Sequence, residues 1–308
     1  MVTLKSSPKI TEHDVLAKCD YFLDLQLWPL RMTLDPERWL SNFTSTEHEY
    51  AIHLLNSFMF FSVDITNAMF ISAFQALSMS VRKPGDSLSM VQSAWRAFCD
   101  TALITYVTGE APNKTDSGLV FARKARQVLG FPEERIVSPD QAARLAEAHS
   151  IPVIFVDDFV GSGNQFRDTW HRVTPIAGSL TTTFAKLASV GRSSFYYIPL
   201  IATHQGVQNI NAMCSDANIR PAHLLPPEYS ALSSDSVIWP TTLLPNAEKF
   251  VFDASVRAGI PDTGGNVDDW RGFHKLGLTV AFSHGIPDAT LPLFYWEENG
   301  WKPLVRRT

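Results

Sequence analysis

The sequence predicts an α/β fold, a doubly wound and mostly parallel sheet with a helical layer before it and a C-terminal hood after it. Three observations carry this expectation. Apolar, β-branched runs near positions 102, 135, 152, 194 and 220 alternate with stretches of helical spacing, the pattern of strands joined by helical crossovers. One run, Ile151–Val156, has no polar interruption, as expected of a parallel strand buried on both faces. Asp157 and Asp158 follow it at once, so two carboxylates stand at the carboxyl end of a buried strand, where open α/β sheets place their sites.

The 308 residues can hold a large domain or a core with two smaller additions. We divide them into a helical accessory region at 1–86, an α/β core at 87–225 and a hood at 226–308. A net charge of −5 and a pI near 6.0 give no global attraction to nucleic acid or to an anionic membrane. Cys19, Cys99 and Cys214 are odd in number and lie in no CxxC or Cys/His cluster. They read as free thiols, and with an N-terminus that lacks the apolar core of a signal peptide they point to the cytoplasm. His53, Asn56, Asp64, Thr66, Asn67 and Gln75 interrupt the long apolar stretch Ala51–Leu77, so no membrane span is expected.

Taken in order, Asp14–Trp28 and Glu37–Phe43 carry short helical patterns, and a helix starts near Thr46. Ala51–Phe61 is apolar nearly all round, and Asp64 is placed to cap a helix through Leu77. Ser87 caps the next helix, whose stripe Leu88, Val91, Ala94, Trp95 and Phe98 has helical spacing. Ala102–Thr108 is the first central strand. A polar loop follows, then a helix at Leu119–Leu129 with Arg123, Lys124 and Arg126 on one side. Arg135–Val137 reads as a short strand, and Ser138-Pro139-Asp140-Gln141 as a capping box opening a helix to about His149.

Beyond Asp157-Asp158, Gly161, Ser162 and Gly163 form a permissive loop, and Asn164–Val173 reads as a helix. Loop N–H groups and a helix N-terminus directed at one place suit a phosphate. Helices at Leu180–Val190 and His204–Met213 flank a strand at Ser194–Ala202, and Ile219–Leu225 adds a last strand. His204 falls just past a strand end, on the rim that carries Asp157. The C-terminal region is irregular, with two apolar segments flanking His284-Gly-Ile-Pro-Asp288. Glu298-Asn299-Gly300 predicts a hairpin between Leu293–Trp296 and Trp301–Val305.

The succession of apolar strand, Asp157-Asp158, Gly161-Ser162-Gly163-Asn164-Gln165 and helix resembles the ribose-phosphate motif of type I phosphoribosyltransferases. An apolar strand ending in two aspartates also occurs in receiver domains, which have no need of a Gly-Ser-Gly-Asn loop directly after the pair. The resemblance implies that Asp157 and Asp158 accept hydrogen bonds from the ribose hydroxyls. Gly161, Ser162, Gly163, Asn164 and Gln165 would wrap the 5′-phosphate of phosphoribosyl pyrophosphate or a nucleotide.

Lys114, Thr115, Asp116, Ser117 and Gly118 occupy the place of that family's pyrophosphate loop, and Mg²⁺ is implied, held mainly through ligand oxygens. His204, His284 and Asp288 are candidate contacts to the acceptor, the last two from the hood; an ordinary helix-start or turn residue is the alternative for each. The segment between the helix at 119–129 and the strand at 152 is too short for the long catalytic loop that many members carry. The wording GLTVAFSHGIPDATLP looks like that of a phosphoribosyltransferase-like family of bacterial conflict operons, some of them retron anti-phage systems. That resemblance implies an antiviral, toxin-like effector controlled by an operon-encoded protein or nucleoprotein partner. A catalytically inactive nucleotide sensor or scaffold remains the other reading.

Overall fold

The computed structural model describes residues 10–108, 117–176 and 178–306. In chain order the first elements are α1 (Glu12–Asp24), α2 (Pro36–Leu40), α3 (His48–Ser57), β1 (Met59–Phe61), α4 (Val63–Ala76), α5 (Ser78–Val81), α6 (Leu88–Thr101), β2 (Leu103–Tyr106), α7 (Ser117–Leu129) and α8 (Pro139–His149). They continue with β3 (Val153–Val160), α9 (Asn164–His171), β4 (Thr174–Pro175), β5 (Thr181–Thr182), α10 (Phe184–Ser189), β6 (Phe195–Thr203), α11 (His204–Met213), β7 (Ala217–Ile219), β8 (His223–Leu225), α12 (Ala247–Ala258) and β9 (Val280–Phe282). The chain forms two compact units, one of residues 1–65 with 227–308 and one of residues 66–226. These units do not follow the boundaries drawn at 86 and 225, because the first and last segments of the chain share one core.

In the unit of residues 66–226, a five-stranded sheet runs β2-β3-β6-β7, with β8 also on β6, and every pairing is parallel. Its apolar interior explains why these residues became strands: Val153–Val156 and Phe195–Ile198 are buried throughout. Phe155, Phe166, Trp170, Phe184, Phe195 and Tyr197 share a single cluster on the face covered by α8 to α11. On the other face Tyr196 meets Phe98 of α6 edge to face.

Ile136 makes a parallel bridge to Ile104 on the free side of β2, where Val137 N–H donates to Ile104 O at 2.9 Å. The predicted strand at 135–137 is thus reduced to one bridge after a 3₁₀ turn at Glu133–Arg135. Its place still fixes the topology. The chain leaves β2 to one side for Ile136 and returns to the other side for β3, so the winding reverses between β2 and β3. The crevice at the carboxyl ends of those two strands is where such sheets bind ligands.

Other elements depart from expectation for local reasons. The strand expected at 219–225 splits into β7 and β8 around Pro221, opposite the segment of β6 that contains Pro199. Helix α10 is shorter than Leu180–Val190, because Thr181–Thr182 pairs with Thr174–Pro175 and Thr183 caps the helix through Lys186 N–H. Ser138 accepts from Gln141 N–H with Pro139 in the first turn, which is the N-cap half of the expected capping box. Lys124 turns towards α4, reaching Asn67 Oδ1 at 3.2 Å, while Arg126 pairs with Glu133. Burial lowers the Lys124 pKa.

In the other unit, Ala51–Phe61 is not one helix: α3 ends at Ser57, and β1 pairs in parallel with β9. Ser62, not Asp64, caps α4, its hydroxyl accepting from Ile65 N–H at 3.3 Å. Trp39 stacks on Phe294 at 5.3 Å and donates from Nε1 to Leu293 O at 2.7 Å, and Trp301 Nε1 donates to the same carbonyl. The hairpin at 298–300 forms its turn but not its ladder. Asn299 and Gly300 take left-handed φ of 50° and 75°, and Trp301 N–H donates to Glu298 O. Leu304 and Val305 both donate to Phe294 O, while Pro292–Phe294 forms a 3₁₀ turn on one side and Pro303 removes a ladder donor on the other.

Asp269 is fully buried in this unit and accepts from Thr263 N–H, Gly265 N–H and the backbone and guanidinium of Arg271. Burial opposes its charge, but the Arg271 bonds and the backbone donors prevail and hold its carboxyl well below the usual range. Its contribution to stability is present above the ordinary carboxylate pKa and is lost as pH falls through the depressed value. Asp269→Ala should cost about 3–5 kcal/mol, since it leaves three backbone donors without their acceptor and leaves Arg271 with Asp262 as its remaining partner. Denaturant unfolding of the full chain measures it.

The three cysteines are free, and burial pushes Cys19 up to about 11 and Cys214 up to about 12. Neither is a ready nucleophile. No helix of the described residues is long and apolar enough to cross a membrane.

Candidate ribose-phosphate site

β3 continues past Val156 and carries Asp157 and Asp158 as its fifth and sixth residues, so the ladder itself positions the acidic pair. Asp157 is 4% exposed and Asp158 9%. Tyr197, one strand over on β6, donates its hydroxyl to Asp157 Oδ2 at 3.0 Å, and Asp158 N–H donates to Asp157 Oδ1 at 3.0 Å. The Tyr197 ring is itself clamped, stacked on Phe166 of α9 at 4.3 Å with 6° between planes. Burial pushes the Asp157 pKa well above its ordinary value, the Asp158 charge adds to this, and the Tyr197 hydrogen bond opposes it. Tyr197 is raised too, by burial and then by the Asp157 charge. Such a pair is poised for a ligand that donates hydrogen bonds.

Three residues, Gly161–Gly163, separate β3 from α9. Gly163 is the residue before the helix, with φ of +82°, and a Cβ there would lie 2.9 Å from Ile210 Cγ1. Only glycine meets both conditions. Asn164 and Gln165 begin α9, whose first-turn N–H groups have no partner within the helix and carry its positive dipole end.

The loop's carbonyls are taken from behind: Thr203 Oγ1 donates to Gly161 O at 2.5 Å and Asn209 Nδ2 to Ser162 O at 2.9 Å. Gly206 permits this approach, since a Cβ on it would lie 2.4 Å from Gly161 O. Arg167 Nη1 reaches Asn164 Oδ1 while its guanidinium pairs with Asp168.

The structure therefore brings Asp157, Asp158 and Gly161–Gln165 to one strand end, and three further predicted residues lie on the same rim. His204 is the first residue of α11, exposed directly after β6. Ser117 and Gly118 open α7 beyond the end of β2. That end is tied to α9, because Thr108 N–H donates to Thr169 Oγ1 at 3.1 Å, the Thr169 hydroxyl donates to Thr108 O at 3.1 Å, and Arg172 donates to the Thr108 hydroxyl.

Lys114, Thr115 and Asp116 lie outside the described residues. His284 and Asp288 belong to the other compact unit, in the turn after β9. There His284 stacks on Phe282 at 5.1 Å, and Asp288 O accepts from Phe273 N–H. Among the described residues, no group of three or more His, Cys, Asp or Glu side chains is placed to hold a metal ion.

Sequence reasoning missed Tyr197, Thr203, Gly206 and Asn209. One signal was available for Tyr197, because a phenol inside an otherwise apolar buried strand needs a polar partner, and the neighbouring strand ends in carboxylates. Thr203, Gly206 and Asn209 gave none, since they act by contact with a loop about forty residues away.

A parallel sheet that reverses its winding beside an acidic pair and a glycine-rich loop defines a phosphoribosyltransferase-like protein. The family model PRTase-CE matches residues 36–307, and the chain belongs to that family. No curated protein matches the sequence.

Proposed function

We propose that the chain binds phosphoribosyl pyrophosphate, or a nucleotide through its 5′-phosphate, and acts at C1′ of the ribosyl phosphate as an effector of bacterial anti-phage defence. The observation that carries the binding reading is the arrangement at the end of β3. A buried acidic pair stands beside a glycine loop whose carbonyls are held by α11, so that one strand end offers acceptors for ribose hydroxyls and donors for a phosphate. The defence role rests on the family resemblance of residues 277–292.

Displacement at C1′ passes through a cationic, oxocarbenium-like ribose while negative charge grows on the departing pyrophosphate. Asp157 and Asp158 would orient the ribose by accepting from its hydroxyls, and the carboxylate charge would favour the cationic ring. Residues Gly161–Gln165 would anchor the 5′-phosphate through main-chain donors. Mg²⁺ suits the oxygen-only chemistry of this pair and of a pyrophosphate, and would be carried by the ligand's own oxygens, offsetting charge on the leaving group. Pyrophosphate release from phosphoribosyl pyrophosphate and candidate acceptors is expected, and its loss in Asp157→Ala/Asp158→Ala checks the assignment. Growth arrest on expression without neighbouring genes, relieved by the same double variant, checks the effector role.

A second reading, a sensor or scaffold without turnover, is favoured by one feature. Between α7 and β3 the chain is occupied by the turn at Glu133–Arg135 and by α8, which leaves only short connections there. Tight binding of phosphoribosyl pyrophosphate with no pyrophosphate release would establish it.

A further inference from the structure

The peptide bonds of the Gly161–Gly163 turn are trans, so each carbonyl points away from the N–H of the residue that follows it. The Gly161 carbonyl is held by Thr203 and the Ser162 carbonyl by Asn209. The N–H groups of Ser162 and Gly163 are therefore turned to the side of the loop opposite α11's donors. A phosphate approaching an unrestrained glycine turn meets carbonyl oxygens as readily as N–H groups, and carbonyls repel it. A turn fixed in advance avoids that cost and the ordering entropy of the loop.

The same β6–α11 segment supplies Tyr197. Its hydroxyl fixes the carboxyl of Asp157, and its ring is fixed by Phe166, the third residue of α9. One strand and the helix that follows it thus hold both halves of the site from behind, through side chains that lie on the protein side of the loop and of the acidic pair.

We propose that β6 and α11 are the positioning element of this site. Thr203 and Asn209 set the loop's peptide planes so that N–H groups face a 5′-phosphate, and Tyr197 sets Asp157 for the ribose hydroxyls. The proposal rests on the ribose-phosphate reading of β3 and adds residues that touch no ligand themselves. It predicts a division of labour: the α11 residues govern affinity for the phosphate end of a ligand, and Tyr197 governs the pH at which the ribose end is bound.

Two probes separate these effects in the full-length chain, ribose 5-phosphate and Mg²⁺-pyrophosphate, the second of which lacks the 5′-phosphate. Asn209→Leu and Thr203→Val should each weaken ribose 5-phosphate about tenfold by calorimetry, the effect of one lost hydrogen bond on a charged ligand's cradle. Both should leave Mg²⁺-pyrophosphate unchanged. Thr203→Ser keeps the hydroxyl and should restore affinity, which ties the loss to that group. Asn209→Leu leaves the bond from Gly206 N–H to Thr203 in place, so its loss of affinity distinguishes loop positioning from the loss of a helix cap.

For Tyr197→Phe, Asp158 on the same strand and Tyr197 on β6 are titratable groups among the described residues that act on Asp157. Removing a donor to the carboxylate favours its protonated form, so the onset of ribose 5-phosphate binding should move to higher pH than in the wild type. The phosphate's own titration is common to both proteins and cancels. Equal loss on both probes, or wild-type affinity in Asn209→Leu and Thr203→Val, overturns the positioning role of α11. An unshifted onset in Tyr197→Phe overturns that of Tyr197. Failure of the folded wild type to bind ribose 5-phosphate at all overturns the reading of the site itself, and the positioning element with it.

Discussion

Asp157→Asn is expected to stabilise the ligand-free protein near neutral pH and to abolish its affinity for phosphoribosyl ligands. In the folded protein the Asp157 carboxyl is raised well above its ordinary value of 3.8, by burial and then by Asp158. A raised carboxyl contributes stability that is fully present below the unfolded value and is lost as pH rises through the folded value. The wild type should therefore weaken as pH climbs above about 3.9 towards that raised value, while the variant, with no charge to desolvate at this position, should not. The asparagine oxygen can still accept from Tyr197, at the cost of the bond from Asp158 N–H, which then faces the amide. Relief of one buried charge beside the like charge of Asp158 is worth about 1–3 kcal/mol, a gain of several degrees in melting temperature. Ligand affinity should fall by about a hundredfold or more, because the amide cannot accept from the ribose hydroxyls as an ionised carboxylate does. Thermal melts across pH, beside calorimetric titration, measure both; a variant less stable than wild type near neutrality would contradict the assignment of strain to this pair.

Gly206→Ala should produce the opposite combination, loss of stability and loss of phosphate affinity together. In an unencumbered helix the substitution gains about 1 kcal/mol. Here the added Cβ would lie 2.4 Å from Gly161 O and 2.8 Å from Val160 Cγ1, so α11 or the loop must move. Overpacking of this kind costs about 1–3 kcal/mol, and any shift of the loop disturbs the Thr203 and Asn209 bonds with it. Denaturant unfolding and ribose 5-phosphate titration check the two effects. A stabilised variant with intact affinity would show that the close approach of α11 is not needed.

The sheet and the core of the site are legible in the sequence because their signals are local. Val153–Val156 is a continuous apolar run, Asp157-Asp158 breaks it abruptly, and the glycines follow at once. The predicted strand at 135 survives only as the Ile104–Ile136 bridge, since its pattern is too short to compete with the adjoining turn at Glu133–Arg135. The split of the last strand was written in Pro221, yet a proline limits a strand only once its neighbours are known. The core shared by the two ends of the chain left no periodic trace. Its joins, such as Trp39 to Leu293 and Asn42 to Lys302, link residues more than two hundred positions apart. For the same reason the acidic pair Asp157-Asp158 could be read, while Tyr197, Thr203 and Asn209, which bond to it and to the loop from neighbouring elements, could not.

The most direct test of the account is calorimetric titration of the full chain with phosphoribosyl pyrophosphate and Mg²⁺, run beside the Asp157→Ala/Asp158→Ala double variant. Saturable one-site binding by the wild type, lost in a double variant that remains folded, is the predicted result. A folded wild type that binds nothing, or a double variant that binds equally well, would contradict the assignment of the β3 strand end as a ribose-phosphate site.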